Sequence, residues 1–228
     1  MLDAVRYDSW YDSPLGKACF ERENQLLAKD VALEGPESIL EVGCGTGRFL
    51  LSVMKKSSNV IGVDRDISFL QFAKKREENM GIHLSLIQAD AAELPFRQGQ
   101  FNIVYEMTTL CFVKDKRKAL HEMIRVCSDN GKMLLGELNP FSPWQWWRKL
   151  KGWLGRGSFK EVQWQWSSHL KRILKEEGLQ GISVRRAVFF PPLNVENYAH
   201  WRDFFEWAAS MFWPWIGAFY LLSAVKKE

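Results

Sequence analysis

The segment ILEVGCGTGRFL, residues 39–50, constrains the fold more than any other part of the chain. An apolar run of strand length stops at three closely spaced glycines, and the chain then continues with an apolar-rich segment of helical spacing. Glycines at such a junction permit positive φ angles and let a ligand lie against the backbone. The segment is therefore interpreted as a strand, a ligand-binding turn and a helix.

Short apolar runs alternate with longer segments of helical spacing along the first part of the chain. The apolar runs predict buried strands at residues 38–42, 59–63, 83–88, 101–105 and 132–138. Between them, apolar residues that recur every three or four positions predict helices at residues 46–56, 66–79 and 115–127. This alternation indicates βαβ units and a parallel sheet.

The C-terminal part departs from that alternation. Helices are predicted at residues 166–177 and 195–210, and strands are predicted at residues 181–190 and 216–226. We expect the last strand to pair antiparallel beside the sixth. This arrangement would complete a sheet of seven strands.

The composition is that of one globular domain. The 228 residues are long enough to bury a substantial core, and a content of 46% hydrophobic and 25% charged residues argues against disorder. The net charge of +4 is too small to indicate nucleic-acid binding by itself. No nucleic-acid partner is expected.

The cysteines and the apolar segments predict a cytoplasmic protein without a metal site. Four cysteines lie far apart without a C-x-x-C pair, which favours neither zinc nor disulfides: Cys19, Cys44, Cys111 and Cys127. The segment MLDAVRYDSW lacks the basic and continuous apolar parts of a signal peptide. The most apolar stretch, residues 211–225, is interrupted by Pro214 and Gly217 and falls short of the about 20 residues that a spanning helix needs.

The spacing of the glycines distinguishes between two kinds of nucleotide ligand. A dinucleotide turn has the pattern G-x-G-x-x-G, whereas Gly43, Gly45 and Gly47 give G-x-G-x-G. Glu41 precedes the glycines by two residues. A carboxylate there would repel a pyrophosphate but suits a cationic amino-acid group, such as the amino group of a methionine. A dinucleotide-dependent dehydrogenase is therefore the disfavoured alternative.

Further candidate residues follow the next two strands, at the same edge of the predicted sheet. Asp64, followed by Arg65, ends the second strand, where a carboxylate can accept hydrogen bonds from both ribose hydroxyls of an adenosine. After the third strand, Asp90 can accept a hydrogen bond from an adenine amino group. The backbone amide of Ala91 can donate to a ring nitrogen. Taken alone, each acid could instead be a turn residue or a helix cap.

The fourth strand completes the candidate pocket, because Glu106 and Met107 stand at its end. The motifs ExGxGxG, VIGVD, ADAAELPF and FNIVYEM follow one another between residues 36 and 138. In this order the chain resembles the class I S-adenosylmethionine-dependent methyltransferases, in the type 11 group that includes the ubiquinone and menaquinone methyltransferases. The resemblance implies that S-adenosylmethionine lies across the carboxyl ends of the first four strands and leaves as S-adenosylhomocysteine.

The resemblance also implies the fold. It predicts an α/β, Rossmann-like, doubly wound sheet of seven strands in the order 3-2-1-4-5-7-6, with strand 7 antiparallel and helices on both faces. A single methyltransferase domain would span residues 1–228, with Tyr7 and Tyr11 placed over the donor. Its parts would be an N-terminal helical cap at 1–35, a donor-binding core at 36–138, an aromatic and basic insertion or lid at 139–165, and the rest of the sheet at 166–228.

Residues 141–160 contain four tryptophans, two phenylalanines, five basic residues and no acid. A helix that begins at Trp144 would carry an apolar face with basic residues at its flanks, and that face would consist of Trp144, Trp147, Leu150 and Leu154. The segment is interpreted either as a lid over the substrate pocket or as a helix that lies among anionic lipid headgroups. The second interpretation adds peripheral contact at the inner face of the membrane.

The catalytic residue is less constrained than the donor site. An activated sulfonium methyl group mainly requires a desolvated nucleophile held close to it, so a dedicated base is optional. The catalytic candidates are Tyr11, Glu106 and His200, each of which also fits a structural role. An aromatic, acid-poor substrate region favours a hydrophobic or aromatic small-molecule acceptor. The alternatives are a polar metabolite or carboxylic acid as acceptor, and a module that binds the donor without transferring its methyl group.

Overall fold

The computed structural model describes residues 3–31, 38–54, 59–153, 165–192 and 199–227, and the side chains of residues 149–153 and 199–200 lie outside the described set. Seven strands occupy β1 (Ile39–Val42), β2 (Val60–Asp64), β3 (Ser85–Gln88), β4 (Phe101–Met107), β5 (Cys127–Leu138), β6 (Gln180–Ala187) and β7 (Phe219–Val225). The α-helices of the described residues are α1 (Ala4–Asp12), α2 (Pro14–Asp30), α3 (Arg48–Met54), α4 (Ile67–Met80), α5 (Lys116–Val126), α6 (Pro143–Trp153), α7 (Ser167–Glu176) and α8 (Ala199–Phe212).

The seven strands form one mixed sheet in the order β3-β2-β1-β4-β5-β7-β6. The first five strands pair in parallel, whereas β7 pairs antiparallel with both β5 and β6. The predicted strand order and the antiparallel seventh strand are therefore confirmed. The carboxyl ends of β1 to β4 meet at one edge, which is where the sequence places the candidate donor residues.

The sheet is buried on both faces because helices cover each of them. Side chains of β1 alternate between two apolar clusters: Ile39 joins one, and Leu40 and Val42 join the other. The first cluster includes apolar residues of α2, α3 and α4, and the second includes those of α5 and α7. A strand that is buried on both faces is mostly apolar, and β1 follows this pattern except at Glu41, which explains why the strand is recognisable in the sequence.

Capping residues place the ends of two helices close to the predicted positions. Asp66 caps α4 by accepting a hydrogen bond from the Ser68 amide at 2.9 Å. The same helix ends at Gly81, which has a φ of 63°. Asp115 caps α5 in the same way through the Lys118 amide at 3.0 Å. The helices predicted at residues 66–79 and 115–127 thus differ from α4 and α5 by one residue at each end.

The strand ends of the C-terminal part differ more from the predictions. β5 begins at Cys127 rather than at residue 132. Cys127 pairs with Phe101, and the register of the two strands shifts after this pair. The sequence SDNG that follows Cys127 is typical of a turn, so the early start of the strand was not predicted. β6 ends at Ala187 rather than at residue 190. Val188 has a φ of 64°, and the Glu206 carboxylate accepts hydrogen bonds from the amides of Val188 and Phe189, so the chain leaves the strand there.

The described residues contain neither a membrane-spanning helix nor a cluster of metal ligands. No helix among them is long and apolar enough to cross a membrane. Within the same ranges, no group of three or more His, Cys, Asp or Glu residues could hold a metal ion.

Two buried carboxyl groups lie next to each other between β4 and β5. Glu106 accepts a hydrogen bond from the Thr109 amide at 2.8 Å, and Glu137 accepts one from the Cys111 amide at 3.1 Å. Burial raises the pKa of Glu137 to about 8. Burial, together with the nearby charge of Glu137, raises the pKa of Glu106 well above its ordinary value. The two groups thus hold the loop after β4 while at least one of them stays protonated at neutral pH.

We expect E137Q to stabilise the protein more strongly as the pH rises. A raised carboxyl pKa means that the folded chain binds the proton more tightly, so this stability is lost between the unfolded pKa and about pH 8. A glutamine keeps an acceptor for the Cys111 amide but cannot ionise. The advantage of the variant should grow by up to about 1.4 kcal/mol per pH unit between pH 5 and pH 8.

Urea unfolding of both proteins across this pH range measures the difference in free energy of unfolding. E122Q is the control, because Glu122 is bonded to Arg125 and the pKa of its carboxyl is lowered. An advantage of E137Q that does not change with pH would contradict the assignment.

Candidate active site

The glycine turn after β1 is tied directly to β2. All three glycines have positive φ angles: 75° at Gly43, 53° at Gly45 and 76° at Gly47. A Cβ atom at Gly43 would lie 2.2 Å from side-chain atoms of Thr109, so a glycine is required there on steric grounds too. The amides of Gly43 and Cys44 both donate to the carbonyl oxygen of Val63, at 2.7 and 2.9 Å. The turn therefore has a fixed position over the sheet edge.

Asp64, at the end of β2, is held by backbone amides on both of its oxygens. Its Oδ2 accepts from the Gly45 amide at 2.8 Å, and its Oδ1 accepts from the Asp66 amide at 2.9 Å. Burial raises the pKa of Asp64, although these two hydrogen bonds oppose the shift. The carboxylate is thereby oriented beside the turn and keeps lone pairs for a ligand.

Glu41 is a buried acid without a cationic partner among the described residues. Only 1% of the residue is exposed, and its Oε2 accepts a hydrogen bond from the Tyr105 hydroxyl at 2.9 Å. Burial raises the pKa of Glu41 to about 8, the hydroxyl opposes the shift, and the charge of Asp64 adds to it. A cationic ligand group would complete this site electrostatically.

A small cavity lies where the turn, the end of β4 and the N-terminal helix meet. It is lined by Tyr7, Tyr11, Glu41, Gly43, Cys44, Gly45, Thr46, Arg48, Phe49 and Met107. The hydroxyl groups of the two tyrosines lie 3.3 Å apart, and the Tyr7 ring packs edge-on against Phe69 at 5.5 Å. Helix α1 thus covers the glycine turn.

Asp8 fastens α1 over the turn. Its carboxylate accepts hydrogen bonds from the Thr46 hydroxyl at 2.8 Å, from Arg48 Nε at 2.7 Å and from Arg76 Nη2 at 2.6 Å. Burial by itself would raise the pKa of Asp8, but these hydrogen bonds keep it below its ordinary value. Asp12 binds the same Arg48 at 2.7 Å from a more exposed position. One buried carboxylate therefore joins α1, the turn and α4.

A second buried polar group adjoins the tyrosines. Glu23 of α2 is buried, and its burial raises its pKa to about 8, a shift that Arg148 of α6 opposes. Burial lowers the pKa of Arg148, while the fields of Glu23, Cys111 and Tyr11 raise it. Polar groups from α1, α2, α6 and the loop after β4 thus face one another beside the cavity.

The structure brings most of the sequence-predicted residues of the first strands together. Glu41, the glycines, Asp64 and Met107 surround or adjoin the cavity. Asp90 and Ala91 lie at the same sheet edge, where Asp90 accepts from the Ala92 amide at 2.8 Å. The side chain of Arg65 is exposed, and its carbonyl oxygen accepts from Gln88 Nε2 at 3.1 Å.

One candidate is not brought to the cavity, and another lies outside the described side chains. Glu106 points to the face of the sheet opposite Met107, because neighbouring residues of a strand alternate. It contacts the Thr109 amide and Glu137 instead. His200 lies in the first turn of α8, and its side chain is outside the described set.

Sequence reasoning missed several residues of this site: Asp8, Arg48, Arg76, Tyr105 and Glu23. One signal for Tyr105 was present, since β1 and β4 are adjacent parallel strands and their register pairs Glu41 with Tyr105. A signal for Glu23 was also present, because it lies four residues after Cys19 and three before Leu26 on the apolar face of α2. The Asp8 contacts depend on where α1 docks, which no local pattern encodes.

Comparison with known proteins identifies the family. A family model described as a methyltransferase domain matches residues 40–135. A phosphatidylethanolamine N-methyltransferase of Cereibacter sphaeroides is 34% identical over 140 residues, which are 59% of this chain and 68% of that protein. The chain belongs to the methyltransferase family. Its cofactor is S-adenosylmethionine.

The chain is also similar to an uncharacterised protein and to a solved structure. An uncharacterised protein of Mycobacterium tuberculosis is 31% identical over 198 residues, which are 83% of this chain. The chain spans 63% of the length of that relative. A solved structure from Thermotoga maritima, described as a possible histamine N-methyltransferase, superposes with a TM-score of 0.74 at 21% identity and covers 98% of this chain and 96% of its own. That likeness shows the methyltransferase fold.

The residues of the site fit the cofactor of the methyltransferase family. S-adenosylmethionine carries a cationic amino group, and Glu41 is a buried acid that lacks a cation among the described residues. The ligand also carries ribose hydroxyls, for which the immobilised carboxylate of Asp64 has free lone pairs. Tyr7 and Tyr11 of α1 line the cavity, so we expect α1 to be displaced when the cofactor enters or leaves.

Helix α1 should therefore control the release of S-adenosylhomocysteine. D8N leaves Arg48 and Arg76 without their shared carboxylate, so α1 should open more often, and S-adenosylhomocysteine should dissociate faster by on the order of tenfold. Stopped-flow fluorescence during competition with unlabelled ligand measures that rate constant. D12N is the matched control, because its exposed ion pair should change the rate by less than about twofold. Equal rates for wild type and a folded D8N would refute the role of Asp8.

Proposed function

We propose that this chain transfers the methyl group of S-adenosylmethionine to a hydrophobic or aromatic small molecule. The observation that carries the proposal is the buried Glu41 without a cationic partner among the described residues, beside a glycine turn that leaves the backbone open to a ligand. The family membership supports the same donor.

Each donor-site residue takes the part of the ligand that its chemistry suits. Glu41 binds the amino group, because a cation next to a buried carboxylate removes the cost of its charge. Asp64, already fixed by two amides, accepts from the ribose hydroxyls. Asp90 and the Ala91 amide bind the adenine edge. Arg65 is exposed beside them and contacts the rim of the site.

Catalysis in this proposal depends on position and exclusion of water. The bound donor supplies an electrophilic methyl group, and the chain holds the acceptor close to it. Tyr7 and Tyr11 cover the cavity, and burial raises the pKa of Tyr7 to about 12, so the hydroxyl stays protonated and hydrogen-bonds rather than acting as a base. Glu106 supports the loop after β4 from the opposite face of the sheet, and His200 has no part in the proposal.

The acceptor is proposed to enter on the side of Glu23 and Arg148. This side combines aromatic side chains with the buried Glu23 and the partly buried Arg148: Trp144 of α6 packs against Phe190, and its indole nitrogen donates to the Phe190 carbonyl oxygen at 2.6 Å. Such a set of side chains suits an apolar molecule with one polar reacting group. The Cereibacter relative, named for a phospholipid acceptor, supports an apolar substrate.

The predicted lid and the predicted membrane segment share α6. Trp144 is 7% exposed and packs inward, as a lid requires, whereas Trp146 is 75% exposed. Leu150 and Leu154 of the predicted apolar face lie outside the described side chains. Contact of residues 141–160 with the inner face of a membrane therefore stays a proposal, compatible with a lid formed by Trp144.

Donor affinity should rise with pH if Glu41 binds the amino group. Below about pH 8 the free site holds a proton that the cationic amino group must displace, so the dissociation constant of S-adenosylhomocysteine should fall roughly tenfold from pH 6 to pH 7. The amino group of the ligand keeps its own proton over this range. Isothermal titration calorimetry in buffers of different ionisation enthalpy measures both the affinity and the proton released.

Two variants isolate that effect. E41Q should bind more weakly and lose the pH slope. Y105F removes the hydroxyl that lowers the Glu41 pKa, so its slope should extend to higher pH. A slope that persists in E41Q would assign the proton to another group and overturn the role of Glu41.

Methyl transfer is tested with methyl-labelled donor and a cell extract separated into protein, nucleic-acid, aqueous and organic-soluble pools. Label should enter the organic pool, and both D64N and G45R should abolish it, while M80S on the outer helix α4 should not. Label in the aqueous pool would favour a polar metabolite as acceptor. Donor binding without label in any pool would favour a module that binds the donor and transfers nothing.

A further inference from the structure

The two buried acids Glu106 and Glu137 lie on the same face of the sheet. β4 pairs with β5 so that Glu106 stands opposite Leu135, and Glu137 follows Leu135 by two residues. Both acids are fully buried. Glu106 Oε1 and Glu137 Oε2 have no hydrogen-bond partner in the part of the chain that the structure describes. These two oxygens are therefore the atoms at which the pair can hold a proton.

The other oxygen of each acid binds the loop that follows β4. Glu106 Oε2 accepts from the Thr109 amide at 2.8 Å, and Glu137 Oε1 accepts from the Cys111 amide at 3.1 Å. The loop begins at Thr108, which has a φ of 58°. A threonine keeps such a φ only while its surroundings impose it. The two acids supply part of the contacts that hold the loop in this conformation.

Thr109 connects the two acids to the glycine turn. Its amide binds Glu106, and its hydroxyl donates to the Gly43 carbonyl oxygen at 3.3 Å. The packing between them is close, because a Cβ atom at Gly43 would lie 2.2 Å from side-chain atoms of Thr109. The amide of Gly43 in turn donates to Val63 of β2. A displacement of Thr109 therefore acts on the turn through direct contact.

The groups around the pair favour retention of a proton. Burial raises the pKa of Glu137, although the Cys111 amide and the charge of Lys116 on α5 oppose the shift. Tyr220 of β7 and the Cys111 thiol also face the pair, and burial and the two acids raise the pKa of each. Arg186 of β6 opposes the shift at Tyr220. Loss of both protons would therefore bury two like charges side by side.

We propose that Glu106 and Glu137 are positioning residues of the donor site, and that the proton they retain keeps Thr109 in place against the glycine turn. When both acids ionise, one carboxylate leaves its loop amide for water, and Thr109 loses its support. The donor site is then formed less often, so its ligand binds more weakly at alkaline pH. The inference rests on the donor site proposed above, but it depends neither on methyl transfer nor on the identity of the acceptor.

The test measures the binding of 5′-methylthioadenosine by titration calorimetry from pH 7 to pH 9.5. This probe carries the adenosine and the sulfur of the donor without its amino-acid group, so an ion pair with Glu41 does not enter the pH dependence. The wild-type dissociation constant should change little up to about pH 8. It should then rise by on the order of tenfold, because the pair loses its last proton in that range.

Three variants separate the proton from the contacts of the loop. E106Q keeps an acceptor for the Thr109 amide and cannot ionise, so its dissociation constant should not rise above pH 8. E106L has no acceptor and should bind the probe about tenfold more weakly at pH 7. The matched control is E122Q, because Glu122 also accepts from a backbone amide, that of Leu94 at 2.8 Å. This control should show the same alkaline rise as the wild type.

Hydrogen exchange without ligand tests the coupling independently of binding. Between pH 8 and pH 9.5, and after correction for the intrinsic effect of pH on exchange, the wild-type chain should lose protection at residues 43–47 and 108–113 together. E106Q should keep the protection of both segments. Circular dichroism verifies that each variant remains folded over this range.

Two results would overturn the proposal. An alkaline rise that persists in a folded E106Q would assign the proton to another group. A loss of protection in the loop while the turn stays protected would show that the acids support the loop alone. A probe that binds at no pH would instead contradict the donor site proposed above, and the exchange measurement would still decide the role of the pair.

Discussion

The close contact between the glycine turn and β2 positions everything else at the site. Two amides of the turn converge on the carbonyl oxygen of Val63, and a third, from Gly45, binds the carboxylate of Asp64. These bonds require positive φ angles, and a side chain at Gly43 would collide with Thr109. The turn therefore fixes the distance from β1 to β2 and to the loop after β4. Helix α1 then docks on the turn through Asp8.

Several acids of the site destabilise the fold in the absence of a ligand. Burial raises the pKa values of Glu41 and Glu23 to about 8, although the Tyr105 hydroxyl opposes the shift at Glu41 and Arg148 opposes it at Glu23. A buried carboxyl group of this kind folds best in its protonated form. Binding of a cation to Glu41 would reverse that preference. The cost in stability and the affinity for a cationic ligand thus have the same physical origin.

The fold was readable from the sequence because its central strands are buried on both faces and its helices carry local end signals. β1 is apolar apart from Glu41, and Asp66 and Gly81 mark the two ends of α4 in the sequence. The ends of β5 and β6 were not readable, because a register shift and a contact from the distant Glu206 determine them.

Within the site, residues next to the strand ends were predictable and residues brought from other elements were not. The position of Glu41 two residues before the glycines predicts that it binds a cationic ligand group. The role of Asp8 depends on the docking of α1 on the turn, which the sequence does not show. Glu106 shows that proximity in sequence does not place a side chain in the site. The sequence places it beside Met107 at the end of β4, but alternation along the strand turns it to the other face.

The two sides of the site differ in how they exclude water. Over the donor turn, α1 is held by the buried Asp8 carboxylate between Arg48 and Arg76. These hydrogen bonds share one carboxylate, so they form and break together. On the side of α6, exclusion depends on aromatic packing around Trp144. A polar ligand that enters under α1 must compete with the ion pairs of Asp8. An apolar ligand that enters beside α6 instead contacts apolar, aromatic side chains. This difference is the physical reason to place a hydrophobic acceptor on the aromatic side and the charged donor beneath α1.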